Sequence, residues 1–213
     1  EIRFPQGLPG FPLATRFRLV PLTPASSVLQ LVSGDDPPII TGNFMADAVK
    51  GRDLSAHPEG IQRGIRLHRR IDTFTDQHAI TLQGRERLRA HCGKFAGVAL
   101  DIFYDHCIAS TWSGDESLPD FAARLYALLE AHAHLMPERT RRMLPYMVRG
   151  NWLAGYASLD GIAQALDGLA RRVPNGAALI GAEKVLAAHR DAYVGECSAF
   201  LRDLRTHLSR EEG

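Results

Sequence analysis

Gly64-Ile65-Arg66-Leu67-His68-Arg69-Arg70-Ile71-Asp72 is the stretch that decides the fold. His68 and Asp72 are four residues apart, so on a helix they lie about 40° apart on one face. That face is not the wet one. Ile61, Ile65, Leu67, Ile71 and Phe74 make an apolar arc that encloses both, while Arg63, Arg66 and Arg70 take the opposite side. A buried ionised group is costly unless it is paired or bound to a metal. Two such groups side by side in an apolar arc therefore demand partners.

A second stretch repeats the anomaly. In Leu100-Asp101-Ile102-Phe103-Tyr104-Asp105-His106, Asp101 and Asp105 are again four apart. Phe95, Val98, Ala99, Ile102, Phe103 and Ile108 cover most of the remaining circumference, with His106 among them. A helix that is apolar nearly all round sits at the centre of a fold. An internal salt bridge to Arg69 or Arg70, with a satisfied core histidine, would account for either helix alone. Both helices together read as a site.

Working outward, Gly42-Asn43-Phe44-Met45-Ala46-Asp47-Ala48-Val49-Lys50-Gly51 shares the same spacing, with Asn43 and Asp47 four apart. It predicts a short helix ending at Gly51. Asn43 as an N-cap and Asp47 paired with Lys50 are the plain alternatives. Pro58-Glu59-Gly60 opens the His68 helix, expected to run to about Thr75, and a further helix ends near Gly93. The central helix is expected over about Lys94 to Trp112. Pro119 suits the first turn of the next one. His132 and His134 at its end lie on different sides, which favours C-terminal capping over a metal pair.

Another helix covers Glu138 to Arg149, and Pro145 should kink or interrupt it. Leu159 to Arg172 is amphipathic, and one last helix is expected from about Ala178 to Ser209, with His189 and His207 facing solvent. Residues 1–37 differ: five prolines from Pro5 to Pro24 break any helix, and Pro37-Pro38 closes the segment. An irregular arm is expected there, with one strand or short helix near Ser26–Leu31. It lacks the continuous apolar run of a signal peptide. The fold class is all-α: one helical bundle of seven or eight helices over residues 38–213, carrying that arm.

Bulk properties fit. The 213 residues suit one domain with a full core, and 45% hydrophobic with 23% charged content is ordinary for a soluble globular chain. A net charge of +1 points to neither nucleic acid nor membrane. No apolar run approaches the roughly 20 residues that a membrane helix needs. Cys92, Cys107 and Cys197 form no CxxC pair, so neither a disulfide framework nor a zinc ribbon is indicated, and a cytoplasmic setting with reduced thiols is expected.

Histidine and aspartate gathered on facing helices are ligand types of a hydrolytic metal centre. Oxygen and imidazole ligands suit Mn²⁺, Mg²⁺, Fe²⁺ or Zn²⁺. Such an ion could polarise a phosphoryl oxygen, and Arg69 beside the His68/Asp72 face could grip phosphate. Phosphoester hydrolysis is the natural reaction. Arginines cluster at Arg63, Arg66, Arg69 and Arg70 and again at Arg139, Arg141, Arg142 and Arg149, with Lys50 and Arg52 near Asp47. They read either as a docking face for an acidic partner or as scattered solvated groups.

These three stretches, with Leu144-Pro145-Tyr146-Met147 and Trp152-Leu153, closely resemble the acyl carrier protein phosphodiesterases over about residues 38 to 208. The resemblance implies a helical hydrolase distantly related to HD-type phosphohydrolases. It implies a manganese-dependent removal of 4′-phosphopantetheine from holo-acyl carrier protein, a small acidic protein, with Mg²⁺ or Fe²⁺ as other cations. It makes Asp47, His68, Asp72, Asp101, Asp105 and His106 the metal or acid–base candidates, with Asn43 and Arg69 as polar groups beside them. The working assignment takes His68, Asp101, Asp105 and His106 as ligands and Asp47, Asp72, Asn43 and Arg69 as catalytic. Lys50, Arg66 and Arg70 are taken as substrate contacts.

One departure stands out. Family members usually carry an Asn-aromatic-Leu-Ala-His-Leu segment just before the Gly-Asn stretch. Here Ser27-Val28-Leu29-Gln30-Leu31-Val32 holds no histidine. It raises the alternative of a carrier-binding pseudoenzyme with a damaged site; a separate alternative is an HD-like hydrolase of a nucleotide or other small phosphodiester, using the same metal centre.

Overall fold

A computed structural model describes residues 35–210. The expected strand or helix near Ser26–Leu31, and the position of Gln30, lie outside the described residues. Among the described residues every regular element is helical, as the apolar periods require.

Helix α1 (Pro37–Met45) begins earlier than the sequence suggested. Pro37 and Pro38 occupy its first turn instead of closing a preceding segment. Proline fits there because the first N–H groups of a helix have no internal partner. Asp36 caps it by accepting from the Ile39 N–H. Asn43 is therefore not an N-cap but an interior residue with no exposed surface. A 3-10 turn (Ala46–Ala48) follows and carries Asp47.

Helix α2 (Glu59–Gln77) lies directly on α1. Two glycines make this possible. A Cβ on Gly42 would stand 2.2 Å from the Ile61 carbonyl oxygen, and one on Gly64 would stand 2.2 Å from that of Ile39. The helices meet backbone to backbone, with Ile61, Ile65, His68 and Ile71 buried along the contact face.

His78 takes an extended conformation, so α3 (Ala79–Cys92) starts in a new direction. Gly93 at φ 53° ends it, as glycine does at low cost. Helix α4 (Ala96–Ser110) is the core. Eleven of its residues, Asp105 and His106 included, are buried, and α3, α8 and α10 pack around it. Helix α5 (Leu118–Ala131) has Ser117 as N-cap, accepting from the Asp120 N–H. At its C-terminal end the His132 Nδ1 donates to the Leu128 carbonyl at 2.8 Å, the capping role expected of it.

Helix α6 (Glu138–Gly150) runs unbroken through Pro145, against the expected interruption. Pro145 is on the exposed side, where water can take up the carbonyl it leaves unpaired. Asn151 in the left-handed conformation leads into the single turn α7 (Trp152–Gly155), and α8 (Leu159–Ala170) follows. The long terminal helix expected from Ala178 is split. A 3-10 turn (Gly176–Leu179), α9 (Glu183–Ala188) and α10 (Arg190–Arg210) replace it, with Gly181 at φ 82° between the first two. Arg87 of α3 holds α10 by a two-pronged bond to Glu196, at 2.6 and 3.0 Å. All three cysteines are free and buried in the shared core. No described helix is long and apolar enough to cross a membrane.

Candidate metal centre

The α1–α2 contact brings three sequence-predicted residues together. Asp47 arrives on the 3-10 turn after α1, and His68 and Asp72 from successive turns of α2. One ligand atom from each lies within 4.8 Å of the others. His68 Nε2 is 3.2 Å from Asp47 Oδ1 and 3.5 Å from Asp72 Oδ2. On its other side, His68 Nδ1 is 3.0 Å from Asn43 Oδ1.

That last bond fixes the ring. An amide oxygen only accepts, so Nδ1 carries the proton and donates. Nε2 then faces two carboxylates. A lone pair and two anionic oxygens at such distances repel unless a proton or a cation lies among them. Imidazole nitrogen with two carboxylate oxygens, held by a buried amide behind, is a donor set that fits a divalent cation of the Mn²⁺, Mg²⁺ or Fe²⁺ kind. The set opens outward: the His68 side chain is 6% exposed, Asp47 14% and Asp72 25%.

The other candidates stand apart from this trio. Asp101, on α4, lies within electrostatic reach. Its carboxyl is pushed up to about 7, first by burial, and further by the charges of Asp72, Asp76 and Asp47, with Arg85 opposing. Asp105 is deeper, 2% exposed, and neither carboxyl oxygen has a hydrogen-bond partner among the described residues. Burial, with the Asp101 charge, pushes its pKa far up, so it is held as the neutral acid. His106 Nδ1 donates to the Tyr156 carbonyl at 2.8 Å, and burial keeps the ring neutral. Its Nε2 has no partner among the described residues. Asp105 and His106 thus offer unused donors in the core, outside the trio.

The cationic candidates are spread along α2 and its entry loop. Arg69 turns one Nη2–H onto the Val49 carbonyl at 3.2 Å, which ties it to the segment holding Asp47. Arg66 is exposed and bonds Gln62 at 3.2 Å, and Lys50 is exposed on the loop. Arg70 lines a groove on the outer side of α2. Two features were missed in the sequence. Gly42 and Gly64, which let Asn43 and Asp47 reach His68, carried their signal as small residues at helical spacing on two apolar stretches. His207 is not solvent-facing: it stacks on Phe74 with ring centroids 4.6 Å apart.

Fold and site together define an all-α protein with an imidazole–carboxylate cluster suited to a divalent cation. A family model described as acyl carrier protein phosphodiesterase matches residues 30–204. Proteins named acyl carrier protein phosphodiesterase are similar over most of the chain. The one from Photorhabdus laumondii is 35% identical over 153 residues, covering 70% of this chain and 77% of its own. That from Yersinia enterocolitica is 33% identical, covering 70% and 79%. That from Salmonella agona is 32% identical, covering 72% and 81%. No solved structure matches. The chain belongs to the acyl carrier protein phosphodiesterase family, and it is an enzyme of that family.

Proposed function

We propose that the protein removes 4′-phosphopantetheine from holo-acyl carrier protein, with Asp47, His68 and Asp72 holding the divalent cation. The observation that carries this is the trio itself: two carboxylates closing on the Nε2 side of a histidine whose Nδ1 meets Asn43. Mn²⁺ is the cation proposed, on the family resemblance; Mg²⁺ and Fe²⁺ share its preference for these donors.

The overall reaction adds water across the phosphodiester. The bond from phosphorus to the serine oxygen breaks, the water oxygen stays on phosphorus, and one proton ends on the serine oxygen. When bound, a divalent cation at the trio neutralises phosphoryl oxygen charge and makes water more acidic. The chain's own residues supply the rest. Arg69, anchored on the Val49 carbonyl, keeps further N–H donors for a phosphate oxygen. Asp101, with its pKa near 7, is suited to exchange a proton with the leaving serine oxygen or the entering water. Asn43, bonded to Nδ1, holds His68 with Nε2 turned to Asp47 and Asp72.

The acidic carrier would approach over the basic residues. Lys50 is exposed on the loop after Asp47, Arg66 is exposed on α2, and Arg139 and Arg141 are exposed on α6. Such a face raises encounter rates more than affinity.

A mass spectrum of holo-acyl carrier protein incubated with the chain and Mn²⁺ tests the reading. A loss matching phosphopantetheine, abolished by EDTA and by His68→Ala, is the expected result. Binding of the carrier without any loss would replace the enzyme with a carrier-binding protein. Hydrolysis of small phosphodiesters with the carrier untouched would replace the substrate.

A further inference from the structure

The outer face of α2 carries a groove of about 680 Å³ that runs from Arg69 and Arg70 to His78 and His207. Nine residues of helix separate its ends, which is about 13 Å of rise. We infer that this groove seats the pantetheine arm of the substrate, with its phosphate end at Arg69 and its amide chain lying along Phe74 and Gln77. The inference rests on the proposed function, and it adds where the arm goes.

Three observations carry it. The first is continuity with the metal centre. Arg69 follows His68 in sequence, lines the groove, and reaches the Val49 carbonyl two residues beyond Asp47. Arg69 therefore borders both the groove and the segment that carries Asp47. The second is charge. The lining holds the Arg69 guanidinium at one end and, among the described residues, no carboxylate. Asp203 is paired with His78 at 3.2 Å and Asp76 with Arg85 at 2.9 Å.

The third is the wall. Phe74 is flanked by the rings of His78 at 4.8 Å and His207 at 4.6 Å, and is backed by Phe200 at 5.9 Å. This flat apolar surface is preformed across two helices. Gln77 beside it offers an amide that both donates and accepts. A pantetheine chain has the matching chemistry: two amides, methyl groups and methylenes behind a phosphate. An apolar lining with a few placed polar groups is how small-ligand sites are built.

The test uses the full chain in EDTA, so that no turnover is needed, and isothermal titration calorimetry. The ligands are 4′-phosphopantetheine, pantetheine, inorganic phosphate and adenosine monophosphate. The phosphorylated arm should bind at least tenfold more tightly than pantetheine or phosphate alone. Thr73→Trp and Gln77→Trp fill the groove from exposed positions without touching the core, and each should weaken that binding at least tenfold. No binding at millimolar ligand, equal binding of adenosine monophosphate, or unchanged binding by both variants would overturn the assignment. The two readings fail separately. An arm that binds but is never released from the carrier defeats the activity and keeps the groove. Release of the arm by a chain whose groove does not bind it does the reverse.

Discussion

Asn43 determines what His68 can do. Its side-chain oxygen accepts from the Nδ1–H and leaves Nε2 to the two carboxylates. Asn43→Leu removes that restraint at similar volume and leaves the ring free to flip or change tautomer. A loss of about 10- to 100-fold in Mn²⁺ affinity is expected, the range usual for partners behind a metal-ligating histidine. Calorimetric titration of Mn²⁺ into both proteins measures it. Asp101 carries a pH signature. Its folded pKa is near 7, against 3.8 for the ordinary group, so the folded chain binds this proton more tightly. The stability it contributes is fully present below about pH 4 and lost as pH rises through 7. Metal-free wild type should therefore lose stability relative to Asp101→Asn across that window, with a slope of roughly 1.4 kcal/mol for each step of one in pH. Urea midpoints at pH 4, 5, 6 and 7 would show it, and a difference that stays flat would remove the buried-acid account of Asp101.

Among elements, the α1–α2 contact matters most. Gly64→Ala would drive a methyl group to 2.2 Å from the Ile39 carbonyl oxygen, and neither backbone can yield without parting the helices. Overpacking costs of about 1–3 kcal/mol are the usual floor. The loss should fall on function as well, since parting α1 from α2 moves Asn43 and Asp47 away from His68. Chemical denaturation and Mn²⁺ titration on the same sample would register both. Pro145 acts in the opposite sense. Its ring leaves the Arg141 carbonyl without its helical N–H partner on an exposed face. Pro145→Ala should raise stability by about 1–3 kcal/mol, read as a higher melting temperature.

The element scale is also where the sequence was legible and where it stopped. His68/Asp72 and Asp101/Asp105 stood out because charged groups at helical spacing broke apolar faces. That signal is local, and it located α2 and α4 to within a few residues. Which of these groups meet is not local. It depends on Gly42 against Ile61 and Gly64 against Ile39, contacts between segments about 20 residues apart that no period reveals. The start of α1 was misplaced because Pro37-Pro38 reads equally as a stop and as a first turn. The split after Gly181 was hidden because the apolar period resumes in phase beyond it.

For the whole molecule, cation binding and folding are coupled. The trio joins α2 to the 3-10 turn after α1, so an unfolded chain offers no such site. Mn²⁺ at a hundred times its dissociation constant should stabilise the protein by about 2.7 kcal/mol. A thermal melt with and without EDTA measures the gain. His68→Ala should abolish the difference while leaving a cooperative transition.

The burial of Cys92, Cys107 and Cys197 in one core gives the chain a record of its own opening. Burial pushes the thiols up, to about 11 for Cys92 and about 12 for Cys107, with Cys197 raised in the same way. At neutral pH they are protonated and out of reach, so an alkylating reagent can modify them only during an unfolding excursion. If the bundle opens as one unit, partial labelling gives molecules with three adducts or none, and the labelling rate becomes a clock for the lifetime of the native state.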